Sequence, residues 1–249
     1  MFKLYKCCFQ LIVAVCLLSC NSTQKTDTAN MPNTLTPDQK REGWQLLFDG
    51  RSTTGWHTFN KTTLGSAWKA EDGTLHLNGS KTNGWQTANG GDIIFEKKFK
   101  NFDLKIEWKI SVGGNSGVMF YAQEGTQYEY PWQTGIESQV LDNKYAEDAK
   151  TLKWKGGDLY DLVSCNADVI KPAGEWHQLE IISNKGSLNI FLNGTEVIAT
   201  TIWDDNWKKL ITNSKFKDMP GFGMFTKGKI ALQDEGNDVW YRNIMIKEL

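Results

Sequence analysis

Histidine is scarce in this sequence, and so is any surplus of positive charge. Three His among 249 residues nearly exclude a metal centre built from a histidine cluster. Lys and Arg number 28 against 29 Asp and Glu, so the basic excess that a nucleic-acid binder needs is missing. Cysteine is also short where it would matter. Cys7, Cys8, Cys16 and Cys20 crowd the N-terminus, leaving Cys165 alone in the body. One thiol makes no intramolecular disulfide, and no CxxC metal spacing exists. Cys165 reads as a small buried apolar residue; as a nucleophile it would need a base, and His177 is the one His nearby. Neither a phosphate-cradling GxxxxGK[ST] nor a GxSxG elbow occurs. Helical periodicity is weak throughout, Asp204–Leu210 offering a single turn.

What is present is aromatic and glycine-rich: 11 Trp and 23 Gly beside only 5 Pro, a composition suited to β architecture. Hydrophobic residues at 40% and charged residues at 23% allow a buried core and argue against disorder. The first residues read as an address. Lys3 and Lys6 precede the apolar run Leu11–Leu18, which is too short to span a bilayer. The run ends in Leu17-Leu18-Ser19-Cys20, which resembles a bacterial lipobox, with cleavage before Cys20 and lipid on its thiol. Residues 1–19 are thus expected to be a lipoprotein signal peptide. Residues 20–40, polar and poor in large apolar side chains, are expected to be a flexible tether, and 41–249 one domain. Removal of Lys3 and Lys6 leaves 26 basic against 29 acidic residues.

The body reads as strands. Phe102–Ile110 alternates apolar and polar over nine residues, the pattern of a half-buried antiparallel strand. Val118–Tyr121 follows, and Leu188–Leu192 enters Asn193-Gly194 before Glu196–Ile198, a hairpin signature. Leu75–Leu77, Ile93–Phe95, Leu179–Ile182, Phe222–Phe225, Lys229–Leu232 and Val239–Ile246 supply further strands. So many short strands imply one all-β sandwich or barrel. His76, between Leu75 and Leu77, is expected on the solvated face.

Polar chemistry concentrates in three stretches. If Gly135–Asn143 is a strand, Glu137 and Gln139 share one face, and Ile136, Ser138 and Val140 the other. Tyr128, Tyr130 and Trp132 precede it. Aromatic faces with carboxylates and amides are what a sugar site requires, since rings cover C–H surfaces and polar groups bind hydroxyls. An ordinary solvent-exposed strand face would look the same. Asp142 has the wrong parity for that face unless the strand ends first. In Gly156–Leu162, Asp158 is expected to shape a turn, while Tyr160 and Asp161 have opposite parity. In Ala231–Asp238, Gln233 and Glu235 share a parity and Asp234 takes the other. The stretch reads as an acidic turn or as oxygen ligands for a hard cation.

Together the motifs resemble a known family. GWQLLFDG (43–50) with Gly55-Trp56, GNSGV (114–118), GIESQVLDN (135–143), LYDL (159–162), GEWHQLEI (174–181), FLNG (191–194) and LQDEGNDVWYRNIMIKEL (232–249) are similar, in order, to the signposts of the 3-keto-disaccharide hydrolase family. That family is abundant among envelope lipoproteins of Bacteroides-like bacteria. The resemblance implies an all-β, concanavalin A-like jelly roll of two antiparallel sheets, the concave one carrying the site. It implies cleavage of glycosides bearing a ketone at sugar C3, by elimination or net hydrolysis; a lectin-like binding module on the same fold is the alternative. Carried onto this chain, Glu137 is a candidate acid or base and Gln139 holds a hydroxyl or the keto oxygen. Asp161 and Glu235 complete the candidate catalytic set. Asn115, Trp132, Tyr160 and Gln233 are the candidate substrate contacts. Glu235 stands where the family often has His, and His177 where it often has Asn. A divalent cation is a candidate ligand with its residues left open, and no organic cofactor is expected. Expected partners are an oligosaccharide or glycoside and an upstream sugar 3-dehydrogenase, with membrane attachment through lipid alone and no nucleic acid. The expected location is the cell envelope, at the outer membrane. Arg242 is expected to be a buried ion-pair partner. Trp44, Trp56, Trp108 and Trp176 are expected as core or motif anchors.

Overall fold

The computed structural model describes Met1 and residues 31–249. The leader and the lipobox Cys20 lie outside the described residues. The described residues form α1 (Pro37–Arg41) and fifteen strands, the first five being β1 (Gln45–Leu46), β2 (Trp56–Thr58), β3 (Trp68–Glu71), β4 (Thr74–Leu77) and β5 (Thr82–Asn83). There follow β6 (Gln86–Thr87), β7 (Ile93–Phe95), β8 (Phe102–Ile110), β9 (Asn115–Ala122) and β10 (Ile136–Leu141). The remainder are β11 (His177–Asn184), β12 (Ser187–Leu192), β13 (Thr195–Thr201), α2 (Asp205–Thr212), β14 (Lys229–Leu232) and β15 (Val239–Glu248).

Two antiparallel sheets pack face to face as a jelly-roll sandwich. The larger runs β13-β12-β11-β8-β15-β4-β3, with β1 also paired to β15; the smaller runs β10-β9-β14-β7-β2. The alternation in β8 is the clearest cause. Phe102, Leu104, Ile106, Trp108 and Ile110 all point inward, because successive side chains leave opposite faces of a strand. Val118, Phe120, Ile136 and Val140 meet them from the smaller sheet, and the rings of Phe102 and Phe120 cross at 6.1 Å. Truncating the fully buried Trp108 to Ala would cost about 3–5 kcal/mol, through lost transfer energy and the cavity left behind. In β9, Tyr121 takes φ 62°, so it joins Phe120 on the inner side rather than alternating. Its hydroxyl bonds the Lys100 carbonyl and Ser183 Oγ, each at 2.7 Å.

Several expectations are corrected. The tether does not extend to residue 40. Thr36 caps α1 through its hydroxyl, Gln39 answers from its third position, and Asn33 is buried against Asn243 and Gly73. A capping box fixes even a five-residue helix once a surface is there to receive it. Phe222–Phe225 is a turn, with Gly221 and Gly223 at φ 86° and 61°, two left-handed residues that break an extended run. Phe222 is still buried, stacked on Phe216 at 3.8 Å. The turn expected at Asp204–Leu210 is a full helix reaching Thr212, with Asp204 capping the Trp207 amide. His76 is not solvated: it is 8% exposed, sits between Glu71 and Asp238 and stacks on Trp240 at 4.7 Å. It does leave the face of Leu75 and Leu77, but long neighbouring side chains cover it. Trp176 is only half-buried on the outer face of the larger sheet, beneath the Arg242 guanidinium at 4.0 Å. Arg242 forms the expected ion pair, with Glu107 at 2.7 Å, though half-buried rather than enclosed.

Candidate active site

β10 exists as expected, and its alternation divides as expected. Ile136 and Val140 enter the core, while Glu137 and Gln139 face the concave side of the smaller sheet. Neither is a plain solvent-facing residue, because loops from elsewhere in the chain enclose them. A groove of 220 Å³ is lined by Trp85, Asn115, Tyr130, Trp132, Glu137, Gln139, Tyr160, Lys215, Phe216, Gln233 and Glu235. Seven of the eight predicted site residues therefore meet in one place.

Glu137 lies at the floor, only 5% exposed. Room for its carboxylate comes from the neighbouring strand: a Cβ on Gly117 would fall 2.1 Å from Glu137 Oε1. Glycine here is a matter of space, since any side chain would expel the acid. Gln139 is oriented with its amide nitrogen 3.0 Å from Glu137 Oε1 and 3.0 Å from the Ser116 carbonyl. The reverse orientation makes one long bond to the Trp154 carbonyl at 3.4 Å, so the hydrogen-bond network decides the assignment. Burial pushes the Glu137 pKa up to about 8, opposed by Lys215 and reinforced by Glu235, Asp92 and Asp148. Glu235, less enclosed, rises to about 7, again through burial first and then Asp148. Loss of hydration penalises the charged form of each acid.

Beneath the groove, acids of the opposite parity hold the backbone. Asp234 accepts from Thr87 N and Oγ1, Gly91 N and Gly236 N. It thereby ties the β5–β6 hairpin, which carries Trp85, beside Glu235. Asp92 accepts from the Asp234 amide at 2.8 Å, while its other oxygen is buried without a partner. Burial raises its pKa well above the usual carboxylate range. Asn115 donates to Asp148 Oδ2 at 3.1 Å, and Gln233 extends the β14–β9 pairing through a bond to the Gly117 carbonyl at 3.0 Å. Among the described residues no group of three or more His, Cys, Asp or Glu is arranged to hold a metal ion.

Asp161 is the predicted catalytic residue that the structure removes from the groove. Its Oδ1 accepts from Trp154 Nε1 at 2.9 Å and its Oδ2 from the Lys215 amide at 2.7 Å. Tyr160 and Asp161 lie in a turn with Asp161 at φ 57°, which leaves Tyr160 lining the groove and Asp161 behind it. Asp142 follows the end of β10 and is buried, accepting from the Gly113 and Lys144 amides. Asp158 shapes its turn as expected, through the Lys155 and Cys165 amides. Cys165 bonds the Ala167 carbonyl and burial raises its thiol pKa. His177 stacks on Trp108 at 3.7 Å, accepts from the Lys171 amide at 2.8 Å and is held down to about 4 by burial. It is no base for Cys165.

Residues the sequence did not flag are Lys215, Phe216 and Trp85. Trp85 meets Tyr130 at 5.3 Å and Tyr130 lies parallel to Trp132 at 5.1 Å, so three rings wall one flank. Tyr160, Phe216 and Lys215 form a second cluster on the groove wall, where Lys215 Nζ stands 4.0 Å from the Tyr160 ring centre.

Comparison with known proteins gives concordant results. Residues 43–247 match the 3-keto-alpha-glucoside-1,2-lyase-like domain. A 3-keto-disaccharide hydrolase of Bacteroides thetaiotaomicron is 37% identical over 229 residues, covering 84% of this chain and 79% of that protein. A crystal structure of a candidate glycosyl hydrolase from Parabacteroides distasonis superposes with a TM-score of 0.79 at 32% identity, over 88% of this chain and 100% of the other. A second candidate glycosyl hydrolase from that organism shares the fold, with a TM-score of 0.62 at 24% identity over 83% of this chain and 99% of its own.

Proposed function

This chain belongs to the 3-keto-alpha-glucoside-1,2-lyase-like family, and we propose that its groove cleaves 3-keto-glycosides by acid–base chemistry between Glu235 and Glu137. It is a glycoside-cleaving enzyme acting on 3-keto sugars, the activity named for its Bacteroides relative. The C3 ketone makes such a substrate easier to open than an ordinary glycoside. It acidifies the proton on C2, so a carboxylate can remove that proton and leave an enolate. The enolate then expels the C1 oxygen, and the leaving sugar takes up a proton. Water adding across the resulting double bond completes a net hydrolysis. No oxocarbenium ion has to be forced from an unoxidised ring.

The observation that carries this reading is the pair of carboxylates on one groove, both shifted toward neutrality and neither joined to a cation by an ion pair among the described residues. Burial raises both acids in the same direction, and depth separates the roles: Glu137 lies at the floor and Glu235 is less enclosed. Glu235, with the lower value, ionises first and takes the C2 proton. Glu137, held protonated to higher pH, gives its proton to the leaving oxygen. Gln139, Asn115 and Gln233 bind hydroxyls, and the Trp85–Tyr130–Trp132 wall receives the leaving sugar.

Incubating the purified chain with a 3-keto-disaccharide should release free sugar. Glu137→Gln should lose most disaccharide cleavage yet keep cleavage of a 3-keto aryl glycoside, whose leaving group needs little acid. Glu235→Gln should lose both, together with exchange of the C2 hydrogen in deuterated water. Glycan binding without turnover of any 3-keto-glycoside, with and without divalent cations, would sink the reading.

The lipobox pattern supports export as a lipoprotein anchored through Cys20 in the cell envelope, at the outer membrane. Labelled fatty acid should enter the parent chain and not Cys20→Ser. Because the substrate carries a ketone, a sugar 3-dehydrogenase has to act upstream. Cells lacking any such oxidoreductase should leave the unoxidised disaccharide uncut.

A further inference from the structure

The acid–base pair leaves one demand of the reaction unmet. As the C2 proton departs, negative charge gathers on the C3 oxygen, and neither acid is free to stabilise it: Glu235 is engaged at C2 and Glu137 at the leaving oxygen. Such a step needs a donor or cation already in position where the charge develops. Among the residues lining the groove, Lys215 is the one cation.

The placement of Lys215 is unusually determined for a loop lysine. Its amide is held by Asp161 Oδ2 at 2.7 Å, and the other oxygen of that carboxylate is occupied by Trp154 Nε1 at 2.9 Å. Asp161 itself takes φ 57°. On one side of Lys215, Ser214 Oγ bonds the Ile211 carbonyl at 2.8 Å and accepts from the Phe216 amide at 3.1 Å. On the other, Phe216 stacks on the buried Phe222. The backbone is pinned, while the side chain, exposed along part of its length, reaches the groove wall. Nζ is flanked by rings, at 4.0 Å from Tyr160 and 5.3 Å from both Trp154 and Phe216. Ring faces attract a cation without using up its hydrogen bonds. Among the described residues, no carboxylate forms an ion pair with it. Partial desolvation lowers its pKa, against the fields of Glu137, Asp161, Glu235 and Asp148. These features describe an ammonium group kept in the groove with donors to spare.

We propose that Lys215 is a catalytic residue whose ammonium donates to the C3 oxygen of the sugar and carries the charge that builds there as C2 is deprotonated. The assignment rests on the proposed reaction. It also fixes the direction of binding: the keto ring lies toward Tyr160 and Lys215, and the leaving sugar toward Trp85. Asp161 is then a positioning residue that acts through the Lys215 backbone.

The test uses the full chain with a 3-keto-disaccharide, following cleavage and C2 hydrogen exchange in deuterated water. Lys215→Met keeps the stem and removes the charge; kcat and exchange should both fall about a hundredfold, with KM moving much less. Lys215→Arg should restore activity to within about tenfold of the parent, because the charge returns in altered geometry. Asp161→Ala should slow the parent yet add little to Lys215→Met, as expected when one residue acts through another. A Met variant within about threefold of the parent in both readouts overturns the assignment, since it would show a packing role only. So does borohydride trapping of substrate on Lys215, which would reveal an amine nucleophile rather than an ammonium. A parent chain that cleaves no 3-keto-glycoside overturns the reaction reading, and this role with it; a parent that cleaves beside an unimpaired Lys215→Met overturns this role alone.

Discussion

The two sheets of the sandwich each present a polar face, and they treat charge in opposite ways. On the outer face of the larger sheet almost every ionic group has a partner. Arg242 meets Glu107 at 2.7 Å, Lys105 meets Glu180 at 3.1 Å, and His76 meets Asp238 at 2.9 Å. Lys109 lies over Trp240 at 4.5 Å and Arg242 over Trp176 at 4.0 Å. Asp103 departs from this pattern, raised to about 6 by burial and the nearby Glu180, with one oxygen unpartnered. In the groove of the smaller sheet, Glu137, Glu235 and Lys215 line one site but, among the described residues, are joined by no ion pair. Half-exposed pairs contribute roughly 0–1 kcal/mol each. Buried, unpaired carboxyls cost stability when ionised. Paired charge stays fixed and chemically quiet; unpaired charge keeps a proton or a hydrogen bond available for substrate.

The sharpest break in this contrast is loss of the base. Glu235→Gln should lower kcat/KM by about 10²–10⁴, measured on a 3-keto-disaccharide, whereas Arg242→Met on the paired face should leave it unchanged. Gly117→Ala comes next, with a loss of about 10² in kcat. Its Cβ would sit 2.1 Å from Glu137 Oε1 and must displace the acid; if activity survives, the floor of the groove is misassigned. Removing one wall ring is milder: Trp85→Ala should raise KM by up to roughly tenfold with kcat nearly kept, as loss of one aromatic contact implies.

Acidity gives a subtler separation of the two faces. The pH profile of kcat/KM should rise as Glu235 ionises near 7 and fall as Glu137 ionises near 8, a narrow bell belonging to the pair as a unit. Stability carries the opposite sign on its rising limb. Both folded-state values lie above the ordinary glutamate value of 4.5, so the folded chain binds more protons than the unfolded one. Their contribution is fully present below about 4.5 and is lost as pH rises through 7 and 8. Tm should fall across that window, and Glu137→Gln should flatten the fall. The smallest effect belongs to the paired face, where Arg242→Met should change unfolding free energy by no more than about 1 kcal/mol.

Much of this was legible along the chain. The nine residues of β8 appear with the predicted ends, because one face of the strand is buried against the other sheet and alternation is then obligatory. The Asn193-Gly194 hairpin follows from a turn that needs positive φ at both positions, and takes φ 52° and 82°. Glu137 and Gln139 were placed by parity, as were Gln233 and Glu235. Asp161 was misplaced because parity separates it from Tyr160 without saying which of the two faces the groove. His76 was misjudged since alternation assigns a side chain to a face and says nothing of the neighbours that cover it.

Lys215 and Trp85 had no signal at all. Each sits in a loop, and no local pattern ties residue 215 or residue 85 to residue 137. Their meeting depends on Asp161 holding the Lys215 backbone and on Asp234 holding the Trp85 hairpin. The sequence by itself determined the strands, the inward and outward faces and the family, because hydrophobic alternation and turn chemistry act between near neighbours. Only the tertiary structure decided which charges stay unpaired, because pairing and burial are set by residues far apart in the chain.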